Sequence, residues 1–190
     1  MDLLRSLVFV PGIRENMVEK AHALTADVVV LDLEDSVPPA EKAQAREIVR
    51  RAIPSLKAAG QTVHVRVNPV SSDMTRDDLA TVVCAELSGI ALPKAESAQD
   101  IRDVDVLIRE QELEHDVKPG SLALIPAIES ALGVLNCERI CRASSRLAAI
   151  TLGADDYTAD LGVHRTRDGR ELDYARQVMV VCARATDIIA

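Results

Sequence analysis

The stretch Val28-Val-Val-Leu-Asp-Leu-Glu-Asp-Ser36 constrains this chain more than any other. Four apolar residues run directly into three carboxylates, Asp32, Glu34 and Asp35, with Pro38-Pro39 close behind. A continuous apolar run bounded by breakers is the pattern of a strand buried on both faces, as in a parallel sheet. Carboxylates crowded at the end of such a strand repel one another, so cations, helix N-termini or a metal must offset their charge. A plainer reading makes one acid the cap of a helix beginning near Glu41 and leaves the others solvated. Recurrence of the same design along the chain favours the functional reading.

Six apolar runs of strand length are present: Leu7–Val10, Val28–Leu31, Thr62–Val67, Ile90–Leu92, Leu122–Ile128 and Leu147–Leu152. Between them, apolar spacing predicts helices over Glu15–Leu24, Ala40–Ala59 (broken or bent at Pro54), Asp77–Leu87, Ser97–Glu112, Ala131–Ile140 and Leu172–Thr186. Asp77 or Thr75 is the expected cap of the third helix, and Ser97 or Ala98 the expected start of the fourth. Glu114–Gly120 and Gly153–Gly169 read as polar loops, and Asp187–Ala190 as the start of a seventh strand. Alternating strands and helices at this spacing indicate βα units and a parallel sheet.

An open doubly wound sheet and a (β/α) barrel both fit that alternation, and the strand ends favour the barrel. Each run closes on its own polar group: Pro11-Gly-Ile-Arg14, Asp32-Leu-Glu-Asp35, Arg66-Val-Asn-Pro69, Pro93-Lys94, Glu129-Ser130 and Gly153-Ala-Asp-Asp156. An open sheet concentrates its ligands at one switch point, whereas a barrel gathers chemistry from many strand ends. No GxGxxG follows the first run, which removes the signature of a dinucleotide-binding sheet. With no composition shift along residues 1–190, the expectation is a single, partial TIM-barrel domain.

The composition narrows the function classes. A net charge of −8 with no Lys/Arg-rich stripe argues against a nucleic-acid partner. Aromatic residues are only 2% and Trp is absent, so the core must be aliphatic. Cys84, Cys137, Cys141 and Cys182 form no CxxC pair and read as small apolar residues in a reducing compartment, although the i, i+4 spacing of Cys137 and Cys141 is also compatible with a metal. No run approaches the ~18 apolar residues that span a bilayer. The first residues lack the apolar length of a signal peptide. The expected location is the cytoplasm, without a membrane partner.

Collected at one mouth, the strand ends would set Asp32, Glu34, Asp35, Glu129, Asp155 and Asp156 against Arg14, Arg66 and Lys94. Hard oxygen donors without His or Cys select Mg²⁺ or Mn²⁺ over zinc. Magnesium usually takes one or two protein carboxylates and leaves its other positions to water and substrate. Glu129, which follows a strand carrying no other charge, is the first candidate ligand, and Asp155 or Asp156 the second.

The segments Ser6-Leu-Val-Phe-Val-Pro-Gly-Ile-Arg14, Val30-Leu-Asp-Leu-Glu-Asp-Ser-Val-Pro38, Val65-Arg-Val-Asn-Pro69, Leu92-Pro-Lys-Ala-Glu-Ser97, Ile128-Glu-Ser130 and Leu152-Gly-Ala-Asp-Asp-Tyr-Thr-Ala-Asp-Leu-Gly162 are specific as a set. In that order they resemble the citrate lyase β-subunit-like group of the HpcH/HpaI aldolase superfamily. The resemblance implies a Mg²⁺-dependent carbon–carbon lyase that cleaves or forms a 3-hydroxyacyl-CoA thioester of the citryl-CoA, malyl-CoA or citramalyl-CoA type. The products would be a keto-acid and acetyl-CoA, with coenzyme A or an acyl carrier bearing the thioester.

By motif position, Glu129 and Asp156 match the metal ligands; Asp156 is preferred to Asp155 because it directly precedes the aromatic Tyr157. Arg66 matches the substrate-binding arginine, and Arg14, Lys94 and Glu129 complete the substrate-binding set. Glu34 and Asp35 match the acidic pair near the metal waters. The proton-transfer base would be Asp35, or Glu34 acting through a metal-bound water. A His stands at the Asp35 position in the free-acid aldolase branch, so Asp35 implies the CoA-ester branch. The alternatives are a class II aldolase on a free hydroxy-keto acid and a truncated, catalytically impaired paralogue or assembly subunit.

A complete eight-stranded barrel typically needs about 250 residues. The resemblance gives out around Asp187–Ala190. The expected fold is therefore a TIM-type barrel truncated after about six strands. Its open strand edges would seek partners, which implies a homo-oligomer. The last helix would pack through Val178, Val180, Val181, Cys182 and Ala185.

Overall fold

The computed structural model describes residues 4–190. The chain divides into two compact units, the first made of residues up to Ala91 together with Val106–Ala123, the second of Leu92–Asp105 and Leu124–Ala190.

In the first unit, strand β1 (Leu7–Pro11) leads to helix α1 (Glu15–Lys20) and a 3-10 turn over Ala21–Ala23. Strand β2 (Val28–Asp32) is buried along its whole length, as its unbroken apolar run requires. A 3-10 turn over Pro39–Glu41 starts helix α2 (Lys42–Ala58), which continues unbroken through Pro54. Strand β3 (Val63–Arg66), helix α3 (Met74–Val82) and strand β4 (Gly89–Leu92) follow. Pairing is parallel throughout, β1 with β2, β2 with β3 and β3 with β4. The core between sheet and helices is aliphatic, with Val29, Leu31, Ile53, Leu56, Val65 and Leu79 fully buried.

Helix α4 (Ala98–Glu114) begins in the second unit and ends in the first. The Ser97 hydroxyl accepts from the Asp100 amide, and the Asp100 carboxylate accepts from the Glu96 and Ser97 amides. This reciprocal cap fixes the helix start where the sequence places it.

In the second unit, strand β5 (Ala123–Ile128) pairs in parallel with strand β6 (Thr151–Leu152). Between them lie helices α5 (Ala131–Leu135) and α6 (Cys137–Cys141). Helix α7 (Ala154–Asp160) and helix α8 (Asp173–Thr186) complete the chain. Beyond α8, Ile189 bridges Ala149 in parallel, with Ile150 N–H donating to Ile189 O at 2.8 Å, so a single bridge rather than a strand forms where the seventh strand is expected.

Several expectations are corrected. The third helix starts at Met74, earlier than Asp77, and neither Thr75 nor Asp77 caps it; the Thr75 hydroxyl instead donates to the Asn68 and Pro69 carbonyls. The expected Ala131–Ile140 helix is divided at Asn136, whose amide side chain donates to Glu96 O. The segment from Gly153 is not all loop, because α7 occupies most of its first half; seven residues with only Tyr157 and Thr158 buried are too few to show a period. On α8 the buried residues are Ala175, Met179, Cys182 and Ala183, while Val180, Val181 and Ala185, expected to pack, are exposed. All four cysteines are free and buried, as their apolar reading implies. No described helix is long and apolar enough to cross a membrane.

Candidate active-site clusters

The first cluster lies at the C-terminal ends of β2 and β3. Parallel register sets Asp32 opposite Arg66. Arg66 Nε and Nη2 donate to the two carboxylate oxygens of Asp32 at 2.6 and 2.8 Å, a two-pronged contact that only a guanidinium makes. Nη1 reaches Glu34 at 3.0 Å and Asp35 at 3.7 Å. The guanidinium also lies 5.0 Å from the centre of the Phe9 ring. Asp32 and Glu34 are buried, whereas the Asp35 side chain is 56% exposed.

Burial alone would push the Asp32 carboxyl up, but the hydrogen bonds and charge of Arg66, with the Ser36 and Glu34 amides, outweigh it and hold the group below its usual range. Burial likewise opposes the Arg66 charge, and Asp32, Glu34 and Asp35 together more than offset it, raising its pKa. The sequence thus brings Arg66, Glu34 and Asp35 together as expected. Asp32, read only as one of three acids, is the principal partner of the arginine.

A buried network holds this loop from behind. Lys42 Nζ donates to the carbonyls of Leu33 and Glu34 and to Asn68 Oδ1 at 2.6–2.8 Å. Asn68 in turn donates to Asp78, which also accepts from Arg46 Nε at 2.7 Å. Burial pulls the Lys42 ammonium below its usual pKa, against the charges of Asp78, Asp32, Glu34 and Asp35. Sequence reasoning passed over Lys42 and Asp78 because each lies on a helix whose spacing reads as ordinary amphipathicity. Arg14 is exposed at the start of α1, with no ion-pair partner among the described residues.

The second cluster lies at the C-terminal ends of β5 and β6. Glu129 directly follows β5 and is buried. Its Oε2 accepts the backbone N–H of Lys94 at 2.8 Å. Lys94 has a positive φ of 53°, uncommon outside glycine, and this left-handed turn directs its amide at the carboxylate. The Lys94 ammonium lies 3.9 Å from Asp156 Oδ2 in the first turn of α7.

Asp155 points elsewhere, 91% exposed and paired with Arg165. The choice between Asp155 and Asp156 that the sequence leaves open therefore has a geometric counterpart, with Asp156 in the cluster. Ser130 caps α5 by accepting from the Gly133 amide and donates to Glu96 at 2.6 Å. Lys94, Glu129 and Asp156 are thus gathered in one unit.

Among the described residues no three His, Cys, Asp or Glu side chains converge as a closed metal cage. Two hard carboxylates on rigid strand and helix ends fit magnesium, which keeps several water ligands, better than zinc.

Residues 5–190 match the model of the HpcH/HpaI aldolase/citrate lyase family. The chain is 40% identical to the citrate lyase subunit beta of Leuconostoc mesenteroides subsp. cremoris over 188 residues, covering 99% of this chain and 62% of that one. It is 41% identical over 169 residues to the L-malyl-CoA/beta-methylmalyl-CoA lyase of Cereibacter sphaeroides, covering 87% of this chain and 52% of the relative. Among solved structures, the citrate lyase beta subunit from M. tuberculosis complexed with oxaloacetate and magnesium superposes with a TM-score of 0.75 at 28% identity, covering 99% of this chain and 78% of that one. The parallel βα succession is thus of the α/β, TIM-type class of these neighbours. The chain spans less than two thirds of the length of both curated relatives. It belongs to the HpcH/HpaI aldolase/citrate lyase family.

Proposed function

We propose that this chain carries the site of a Mg²⁺-dependent carbon–carbon lyase acting on a 3-hydroxyacyl thioester of CoA or an acyl carrier. Cleavage breaks the bond between the carbinol carbon and the carbon α to the thioester. The hydroxyl loses its proton and becomes the keto-acid carbonyl. The electron pair of the broken bond passes to the thioester fragment as an enolate, which takes up a proton to become the acetyl thioester.

The observation that carries this reading is the buried Glu129 carboxylate, held by the Lys94 amide in the same unit that sets Asp156 beside the Lys94 ammonium. In this reading Glu129 and Asp156 hold the ion. A bound Mg²⁺ would supply Lewis-acid polarisation of the keto oxygen and a fixed point for the acid's carboxylate. Arg66 recognises the keto-acid with the outer Nη edge of its guanidinium, while the two-pronged contact to Asp32 and the contact to Glu34 hold the group in orientation. Lys94 and Arg14 add positive charge for the substrate's carboxylates. Asp35, exposed and near Arg66, is the candidate for the proton transfer, with Glu34 acting through a water as the alternative.

The magnesium and oxaloacetate of the M. tuberculosis neighbour and the malyl-CoA of the Cereibacter relative support the chemistry. The test is acetyl-CoA release from citryl-CoA and malyl-CoA, with and without Mg²⁺, in the natural sequence and in Glu129→Gln. Release that requires Mg²⁺ and fails in the variant is expected. Metal-independent release, or equal release by both proteins, would overturn the assignment.

The same reading makes the protein a cytoplasmic homo-oligomer. Four free, buried cysteines suit a reducing compartment, and Leu135, Tyr174 and Val181 are exposed apolar surface. Size-exclusion chromatography with light scattering tests the oligomer; a monomer at all concentrations refutes it.

A further inference from the structure

Glu129 is confined on one side by the Lys94 amide, and on the other by a glycine. A Cβ built on Gly153 would fall 2.3 Å from Glu129 Oε1, 2.5 Å from its Cγ and 2.7 Å from its Cδ. The three atoms nearest to that position all belong to this one side chain. Gly153 is not there for a left-handed turn, since its φ is −82°. Its backbone is itself fixed, with its N–H donating to Ile128 O at 3.0 Å and its carbonyl accepting from Tyr157 N–H at 2.9 Å. An added methyl group therefore cannot be accommodated by moving residue 153; the carboxylate of Glu129 has to leave.

We propose that Gly153 is the positioning residue for Glu129: by lacking a side chain it leaves the channel in which that carboxylate lies, and the Lys94 amide holds it there before any ion arrives. The two contacts come from different strand ends, the loop after β4 and the turn after β6, and close on the residue after β5. Glu129 is thereby presented in one orientation. A ligand fixed in advance loses little conformational freedom when an ion binds, which strengthens binding. The proposal rests on the assignment of Glu129 as a metal ligand, and the Lys94 contact explains why a lysine tolerates a left-handed backbone at this position.

The test uses the 190-residue chain, Mn²⁺ as the probe ion, and two readouts that need no turnover. Mn²⁺ affinity is measured by calorimetry for the natural sequence, Glu129→Gln, Gly153→Ala, Glu129→Asp and Gly153→Ala/Glu129→Asp. Gly153→Ala is expected to weaken Mn²⁺ about 10–100-fold, the usual cost of disturbing the shell that orients a ligand. The shorter aspartate should recover part of that loss in the double variant, so the two substitutions are not additive.

Thermal unfolding supplies the second readout. Gly153→Ala should lower Tm when Glu129 is present and leave it unchanged in a Glu129→Ala background, where the colliding atoms are gone. Should Gly153→Ala fail to fold, folding of Gly153→Ala/Glu129→Ala would support the proposal, and failure of both would overturn it. An equal Tm loss in the two backgrounds, or unchanged Mn²⁺ affinity in Gly153→Ala when Glu129→Gln has lost it, would also overturn it. Equal Mn²⁺ binding by the natural chain and Glu129→Gln would remove Glu129 from the metal site and take the proposal down with it. The Tm comparison distinguishes that failure from one in which Gly153 does not shape Glu129.

Discussion

His64 makes the stability of this protein depend on pH in a way that one substitution removes. Side chains alternate along a strand, so His64 points to the same side of β3 as Arg66, two residues on. The residue opposite it on β4 is Gly89, where a Cβ would fall 2.7 Å from the imidazole Cε1 and 2.9 Å from Nε2. The ring fills the space that the glycine leaves. It is 3% exposed, and Nδ1 has no hydrogen-bond partner among the described residues. Burial, with no compensating acid, lowers its pKa from 6.5 to about 4.

A histidine whose native pKa is depressed stays neutral in the fold while the unfolded chain takes up a proton. Its contribution is whole above pH 6.5 and is lost as pH falls from there toward 4. The full shift corresponds to about 3 kcal/mol, of which about 2 kcal/mol is lost between pH 7 and pH 5. His64→Leu abolishes the titration and removes a buried, unsatisfied nitrogen, so at pH 7 the variant should be equal to the natural chain or more stable.

Urea unfolding of both proteins at pH 7, 6 and 5 measures the difference. His22, His115 and His164 are exposed and common to both, so they cancel. The natural chain is expected to lose about 2 kcal/mol more than the variant between pH 7 and 5. Parallel pH profiles would show that His64 is protonated or hydrated in the fold, and would refute the reasoning.

Glu129→Gln should weaken Mn²⁺ binding by at least the 10–100-fold typical of ligand-orienting groups while shifting Tm little, as followed by calorimetry and thermal unfolding; a collapse of the fold would make Glu129 structural. Arg66→Lys keeps the charge but loses the two-pronged contact to Asp32, and kcat/KM for the thioester should fall roughly 10²–10³-fold, as when one preorganised donor is removed; unchanged kinetics would assign Arg66 to a structural ion pair with Asp32. Asp78→Ala removes the closest partner of Arg46, which keeps only Asp77 at 3.7 Å and the Met74 carbonyl at 3.4 Å, and leaves the buried Asn68 backbone amide without its acceptor. The expected cost in urea unfolding is about 3–5 kcal/mol, the range for a broken buried pair; a loss below 1 kcal/mol would mean that water replaces the carboxylate.

The elements most legible in the sequence are those whose signal is local. Val28–Leu31 reads as a doubly buried strand because four adjacent apolar side chains leave no face for water, and all four are buried. The start of α4 is legible because Ser97 and Asp100 close their cap within four residues. By contrast, α7 has no stretch long enough for a period, and its charges resemble a loop. The break between α5 and α6 depends on Asn136 reaching the carbonyl of Glu96, forty residues earlier, for which no neighbouring residue gives notice.

The same distinction governs the clusters. Residue types at strand ends point to Arg66, Glu129 and Asp156, yet not to which partner each side chain takes. Asp32 and Arg66 are 34 residues apart, and only the parallel register sets them opposite each other. Aligning the expected strands by their last residues would miss that pair, because the expected third run, Thr62–Val67, extends one residue past Arg66, where the observed strand ends. Lys94 is harder to read. The sequence offers it as a cation, and its ammonium does approach Asp156, but its contact with Glu129 is made by the backbone amide in a left-handed turn. Gly153 is harder still, because its contribution is a volume left empty. A strand-end lysine and a strand-end glycine thus act on one carboxylate, the first through an atom every residue but proline possesses and the second through an atom it lacks.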